Sequence, residues 1–170
     1  MTRGELERAR LRADDIGRMG EELIDAFLGT QRDAGAIEEY EWVSNDNAIA
    51  PYDFSIKRSE RRNVDVKSTC GDFSQVLHVS MSELIEMQGD VAYDIYRVYE
   101  LNDYCAKLRI AENVKPFAER VLACLSTLPE GVTSDGVSVR PNVMQFGAEI
   151  VINLTPSEEE NSGATSNTEE

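Results

Sequence analysis

Between residues 52 and 69 the chain alternates twice. Tyr52, Phe54 and Ile56 fall on one side of an extended backbone, with Asp53, Ser55 and Lys57 on the other. After the polar stretch at 58–63, Val64 and Val66 alternate with Asp65 and Lys67. A period of two is the signature of a strand, because successive side chains leave opposite faces of the pleat. Two such runs joined by a short polar turn predict an antiparallel hairpin. Its apolar face needs a cover. Its polar face gathers Asp53, Asp65 and Lys67.

The cover is predicted at the N-terminus. Residues 4–30 contain no proline and are rich in Glu, Arg, Leu and Ala, which favours a helix. Gly17, Gly20, Glu21, Ile24 and Leu28 form one stripe along it, with Arg18, Glu22 and Asp25 opposite. The stripe places Glu21 inward, and two glycines permit close approach, with a possible break near Gly17. Further strands are predicted at 38–44, 75–79, 92–101, 107–111, 137–139 and 148–154. Ser80 and Glu83 form a Ser-x-x-Glu capping box that starts a short helix to about Met87. A second helix follows at 115–128. This order predicts an α/β (α+β) domain with a central mixed sheet flanked by helices. It spans residues 1–155, with an acidic disordered tail at 156–170.

Composition excludes several alternatives. Three cysteines, no Cys-x-x-Cys and a single histidine argue against a disulfide framework and a structural zinc site. His78 is the only residue available to a nucleophile–histidine machine and reads better as a structural strand residue. The cysteines read as core thiols. No apolar run reaches the ~18 residues of a membrane span, and the first residues do not resemble a signal peptide. The expectation is a cytoplasmic protein with no membrane partner.

The net charge is −15, which argues against a free-standing basic nucleic-acid coat. One segment opposes the trend. Residues 57–67 hold five of the 17 basic groups and only two acidic ones. Lys57, Arg58, Arg61 and Arg62 therefore stand as candidate phosphate contacts, with Ser68 as a possible hydrogen-bond donor. A solvated hairpin tip explains the same island equally well.

The polar face of the hairpin carries chemistry. Two carboxylates brought side by side repel, and both remain ionised only with a cation between them. Oxygen donors of this kind favour Mg²⁺ or Mn²⁺, which can polarise a phosphate and help ionise a water. Lys67 can orient that water, and Glu21 can complete the site. Plainer roles exist too: Asp65 and Lys67 as a surface ion pair, Asp53 as a turn residue, Glu21 as a surface group.

These residues resemble the PD-(D/E)xK nuclease superfamily, the restriction-endonuclease-like fold. Pro51 and Asp53 resemble its PD half with one residue inserted, Asp65-Val66-Lys67 its (D/E)xK half, and Gly17-Arg18-Met19-Gly20-Glu21 its first-helix acidic motif. Gly-x-x-Gly-Glu, Tyr-Asp-Phe, Val-Asp-Val-Lys-Ser-Thr, Ser-x-x-Glu and Tyr-Arg-Val together resemble the NO VEIN-type C-terminal domain branch, over residues 16–100. The resemblance implies a metal held by Asp53 and Asp65 with the Val66 backbone nearby. It implies that Lys67 positions the water and that Glu21 binds a second metal or an intervening water. The expected activity is a Mg²⁺- or Mn²⁺-dependent endonuclease acting on DNA in a restriction, defence or DNA-processing system, with RNA left open. An acidic chain should need help to hold DNA, from a homodimer or a larger basic partner. The alternative is a catalytically silent module of the same fold whose acidic surface docks on a basic protein.

Overall fold

The computed structural model describes residues 2–154; the predicted tail lies outside them. Thr2 starts the first helix with a capping box. Its hydroxyl accepts the Glu5 amide at 3.2 Å, and Glu5 accepts the Thr2 amide at 2.6 Å. Helix α1 then runs unbroken from Arg3 to Asp33, through Gly17. Strand β1 (Glu39–Trp42) leads through a helical turn, α2 (Val43–Asp46), to β2 (Phe54–Lys57) and β3 (Arg61–Ser68). Next come β4 (Leu77–Ser80), α3 (Met81–Glu86), β5 (Ala92–Tyr99), β6 (Cys105–Ala111), α4 (Lys115–Leu125), β7 (Gly136–Val139) and β8 (Ile150–Asn153).

Six strands form one mixed sheet in the order β1-β2-β3-β5-β6-β8, while β4 and β7 pair separately. The hairpin pairs as predicted, β2 antiparallel to β3 with Phe54 opposite Val64, but its turn is shorter: Arg61, Arg62 and Asn63, expected in the polar turn, already belong to β3. Strand β5 lies parallel to β3, with Lys67 opposite Arg97. A parallel neighbour requires a crossover, and here it is β4 and α3.

Alternation sorts the core into two. On one face Leu23, Ile24 and Leu28 of α1 pack on Phe54, Ile56, Val64, Val66, Tyr96 and Val98. On the other, β4, α3 and α4 pack Val79, Leu84, Met87 and Phe117 on Tyr93 and Ile95. Burial of these side chains is the main stabilising term. Of the stripe glycines, only Gly20 makes a close approach. A Cβ there would lie 1.7 Å from Ser68 Oγ and 2.6 Å from Ser68 Cβ, so α1 can sit on β3 only without one.

Two expectations need correction. The cysteines are not core thiols: Cys70 and Cys124 are exposed and Cys105 is half-buried. Tyr52 precedes β2 rather than continuing its alternation, and packs against the second core. No helix among the described residues is long and apolar enough to cross a membrane.

Candidate active site

The candidate site lies where β2 begins and β3 ends. Asp53 sits just before β2 and is tied from three sides. Its amide donates to the Val64 carbonyl at 2.8 Å, and its own carbonyl accepts the Val43 and Ser44 amides at 2.7 and 3.1 Å. Two residues upstream, the Tyr93 hydroxyl donates to the Pro51 carbonyl at 2.5 Å. The Asp53 carboxylate is then aimed across the hairpin, where Oδ2 accepts the Val66 amide at 2.7 Å. Val66 thus contributes through its amide.

Asp65 and Lys67 leave β3 on the face away from α1, as alternation requires. Asp65 is only 4% exposed. Lys67 Nζ lies 2.8 Å from its Oδ2, yet no donor is aligned to hydrogen-bond that oxygen. The same ammonium lies 3.0 Å from Glu83 Oε1. Glu83 Oε2 accepts the Ser80 amide at 2.8 Å, completing the capping box of α3. Three residues on, Glu86 accepts a hydrogen bond from Asn63 Nδ2 at 2.9 Å. Two carboxylates on successive positions of one helical face therefore strap α3 to β3.

Carboxylates outnumber cations here, and titration reflects it. Burial pushes the Asp53 carboxyl up to about 7, with the Asp65 charge adding to the rise and Glu21 adding less. The Val66 amide and Lys67 pull the other way. Asp65 rises to about 6, mainly through burial, opposed by Lys67 and reinforced by Glu83. Burial acts to lower Lys67, but Asp65 and Glu83 outweigh it and hold the ammonium above its ordinary value. Tyr93 is raised by burial and by the neighbouring carboxylates, so its hydroxyl stays a donor.

Glu21 stands at the margin. It lies on α1, whose contact with β3 is through Val66 and Ser68, on the opposite face of the sheet from Asp65. Its carboxylate accepts Trp42 Nε1 at 3.1 Å and Ser44 Oγ at 2.8 Å. It reaches Asp53 by its field rather than by contact. Among the described residues no three His, Cys, Asp or Glu side chains are grouped to hold a metal by themselves. The Asp53–Asp65 pair nonetheless fits a hard divalent cation: it offers one half-buried and one buried carboxylate short of positive charge, with one Asp65 oxygen free of hydrogen bonds.

The basic island lies at the other end of the hairpin, with Arg61 about 13 Å along β3 from Asp65 by the strand's rise per residue. Lys57 pairs with Glu38 at 3.0 Å and Arg58 with Glu112 at 3.4 Å. Arg61 donates to Ser55 Oγ at 2.8 Å. Arg62 grips Asp94 through two hydrogen bonds of 2.6 and 2.5 Å. The Ser68 hydroxyl points into the contact between α1 and β3, where its oxygen is enclosed and unpartnered. A phosphate in solvent cannot reach it. His78 is exposed on β4, beside Gly136 and in the smaller sheet.

Sequence reasoning missed Glu83 as a site residue, reading it only as a cap, and missed Tyr93 and Arg97. Arg97 is 2% exposed and donates to the carbonyls of Lys67 and Gln75 at 3.3 and 3.0 Å, so it braces the strand beneath the lysine. Glu83 and Arg97 stood only within the resemblance motifs Ser-x-x-Glu and Tyr-Arg-Val, and nothing in the sequence separates Tyr93 from an ordinary strand position.

Comparison with known proteins agrees with this geometry at the level of family. The family model described as Protein NO VEIN, C-terminal, matches residues 21–110, a span that runs from Glu21 through the hairpin and α3 to β6. No curated protein and no solved structure matches the chain. A match over more than half of the 170 residues, centred on the hairpin and its crossover, establishes that the chain belongs to the NO VEIN C-terminal family.

Proposed function

We propose that this chain is a metal-dependent nuclease that hydrolyses phosphodiester bonds in DNA. One observation carries the reading: a half-buried Asp53 and a buried Asp65 interact at one end of a hairpin, short of positive charge, with Lys67 alongside. A structural ion pair would balance its charges, and this group does not. Asp53 and Asp65 would hold Mg²⁺ or Mn²⁺, which when bound supplies charge neutralisation at a phosphate and a more acidic water.

The chain's own groups then have defined tasks. Lys67 keeps its proton at neutral pH, so it acts as a donor and a positive charge, not as a base. Its ammonium orients the attacking water and offsets the charge that develops on phosphate oxygen. The Val66 amide fixes the Asp53 carboxylate, and Tyr93 fixes the Pro51 carbonyl that leads into Asp53. Glu21 holds Ser44 and Trp42, and so the loop that carries Asp53, in place.

A second reading has its own support. Lys57, Arg58 and Arg62 are each paired with a carboxylate and Arg61 bonds Ser55, so most of the basic island is already engaged on a chain of net charge −15. This supports either a basic partner or a second copy that helps hold the DNA, or a silent module that docks on a basic protein. One experiment tests the enzyme. The purified protein is incubated with supercoiled plasmid, single-stranded DNA and RNA, with Mg²⁺, Mn²⁺ or EDTA, beside Lys67→Ala. Metal-dependent cleavage, reduced about 100-fold or more in the variant, is the expected result, and the substrate cut names the class. Absence of cleavage with every substrate, in a protein that still binds a basic polypeptide in a salt-sensitive manner, replaces the nuclease by the docking module.

A further inference from the structure

The capping box of α3 does more than begin a helix. In an ordinary box the glutamate at the third position reaches back to the cap amide and its other oxygen faces water. Here Glu83 Oε2 takes the Ser80 amide at 2.8 Å, and Oε1 takes Lys67 Nζ at 3.0 Å. Both side chains are well buried, with Lys67 15% and Glu83 17% exposed. The Lys67 stem is flexible and has four rotatable bonds. Asp65 also meets the ammonium, at 2.8 Å, but that contact is an ion pair without hydrogen-bond alignment and so is less directional. The aligned hydrogen bond to the ammonium comes from Glu83.

From this we infer that Glu83 is the positioning residue of the site: it holds the Lys67 ammonium in place. The inference rests on the proposed nuclease reading for its consequence in catalysis, but the contact itself does not. Asp65 is the one group asked both to hold a cation and to pair Lys67. When its charge is drawn to a cation, Lys67 keeps a partner in Glu83 and stays over the site. The strap from Glu86 to Asn63 keeps α3 against β3, so the carboxylate is presented from a fixed helix.

Glu83→Gln separates the two jobs of the side chain. Glutamine still closes a capping box, so α3 remains capped, while the negative charge that residue 83 sets against the Lys67 ammonium is lost. Ser80→Ala does the reverse: it weakens the cap and leaves the carboxylate. Two readouts follow. In the first, the full chain is acylated at its amines and modification of Lys67 is followed by mass spectrometry. Glu83→Gln is expected to speed modification of Lys67 about tenfold, the equivalent of one charge-assisted hydrogen bond, with Ser80→Ala near wild type. In the second, cleavage by Glu83→Gln is expected to lose kcat about tenfold or more with KM little changed, and to add no further loss in a Lys67→Ala background.

Wild-type modification of Lys67 in Glu83→Gln, with thermal stability unchanged, overturns the inference. So does a loss in Glu83→Gln that adds in full to that of Lys67→Ala. If the wild-type chain cuts nothing, the nuclease reading fails by itself, and the modification rate still decides whether Glu83 holds the lysine.

Discussion

The two ends of the β2–β3 hairpin treat charge in opposite ways. At the turn, four basic residues crowd together in sequence, and each finds a partner: Glu38, Glu112, Ser55 and Asp94. At the open end Asp65 and Glu83 share one ammonium with Asp53 close by, and Asp53 and Asp65 titrate well above their ordinary range. At the end that looks most charged in the sequence, three of the four cations are balanced by carboxylates. The end with the fewest cations holds the unbalanced charge, and unbalanced buried charge is what a cation or a reaction can use.

The largest test of this contrast is Arg62→Ala. Arg62 and Asp94 form a fork in which Asp94 is 2% exposed and also accepts the Asn113 amide at 2.8 Å. Removing the arginine strands a buried carboxylate and should cost about 3–5 kcal/mol in urea unfolding. A loss under about 1 kcal/mol would mean that the pair is solvated and that the turn end is not neutralised as described.

Next comes the pH dependence of stability. The folded chain holds a proton on Asp53 up to about 7 and on Asp65 up to about 6, whereas unfolded aspartates release theirs near ~3.9. Between those limits the native state binds more protons than the unfolded one, so these groups make stability fall as pH rises. Their contribution is complete below about 4 and is lost through about 7. Asp53→Asn keeps an acceptor for the Val66 amide and removes the titration. It should flatten the slope between pH 5 and 8 and raise the melting temperature at pH 8, while abolishing metal-dependent cleavage. Added Mg²⁺ should stabilise wild type more at pH 8 than at pH 5, and should not stabilise the variant. A wild-type curve that rises steadily across this window would show that the carboxylates are already compensated.

The smallest effect belongs to Lys57→Ala and Arg58→Ala. Both side chains are 40% or more exposed, and their pairs lie in water. Neither substitution should move the urea midpoint measurably. Comparing their effects on DNA retention at low salt with that of Arg18→Ala, an exposed cation paired with Glu22 on α1 near the opposite end of β3, sharpens the contrast further. An equal loss from all three is nonspecific charge, and a selective loss at Lys57 and Arg58 restores the turn to a binding role.

Much of this was legible along the chain. The alternation of Phe54, Ile56, Val64 and Val66 placed the hairpin and, by parity, put Asp65 and Lys67 together on the other face. Ser80 and Glu83 marked the start of α3 to the residue. The stripe of Gly20, Ile24 and Leu28 chose the buried face of α1. Elsewhere the same reasoning fell short. The inward stripe placed Glu21 on α1, but not its engagement by Trp42 and Ser44. Ser68 shares its strand with Lys67, and one step of alternation sends its hydroxyl into α1.

Sequence alone determined the local periods, the caps and the set of chemical groups on the polar face of the hairpin, because these depend on residues within a few positions of one another. The tertiary structure decided which charges are neutralised, how deeply Asp65 is buried, and that Glu83 and Tyr93 join the site. Those outcomes follow from contacts between segments far apart in the chain: Lys67 meets Glu83 across 16 residues, and Pro51 meets Tyr93 across 42. Desolvation and Coulomb interaction act through space, and only the packed fold sets those distances.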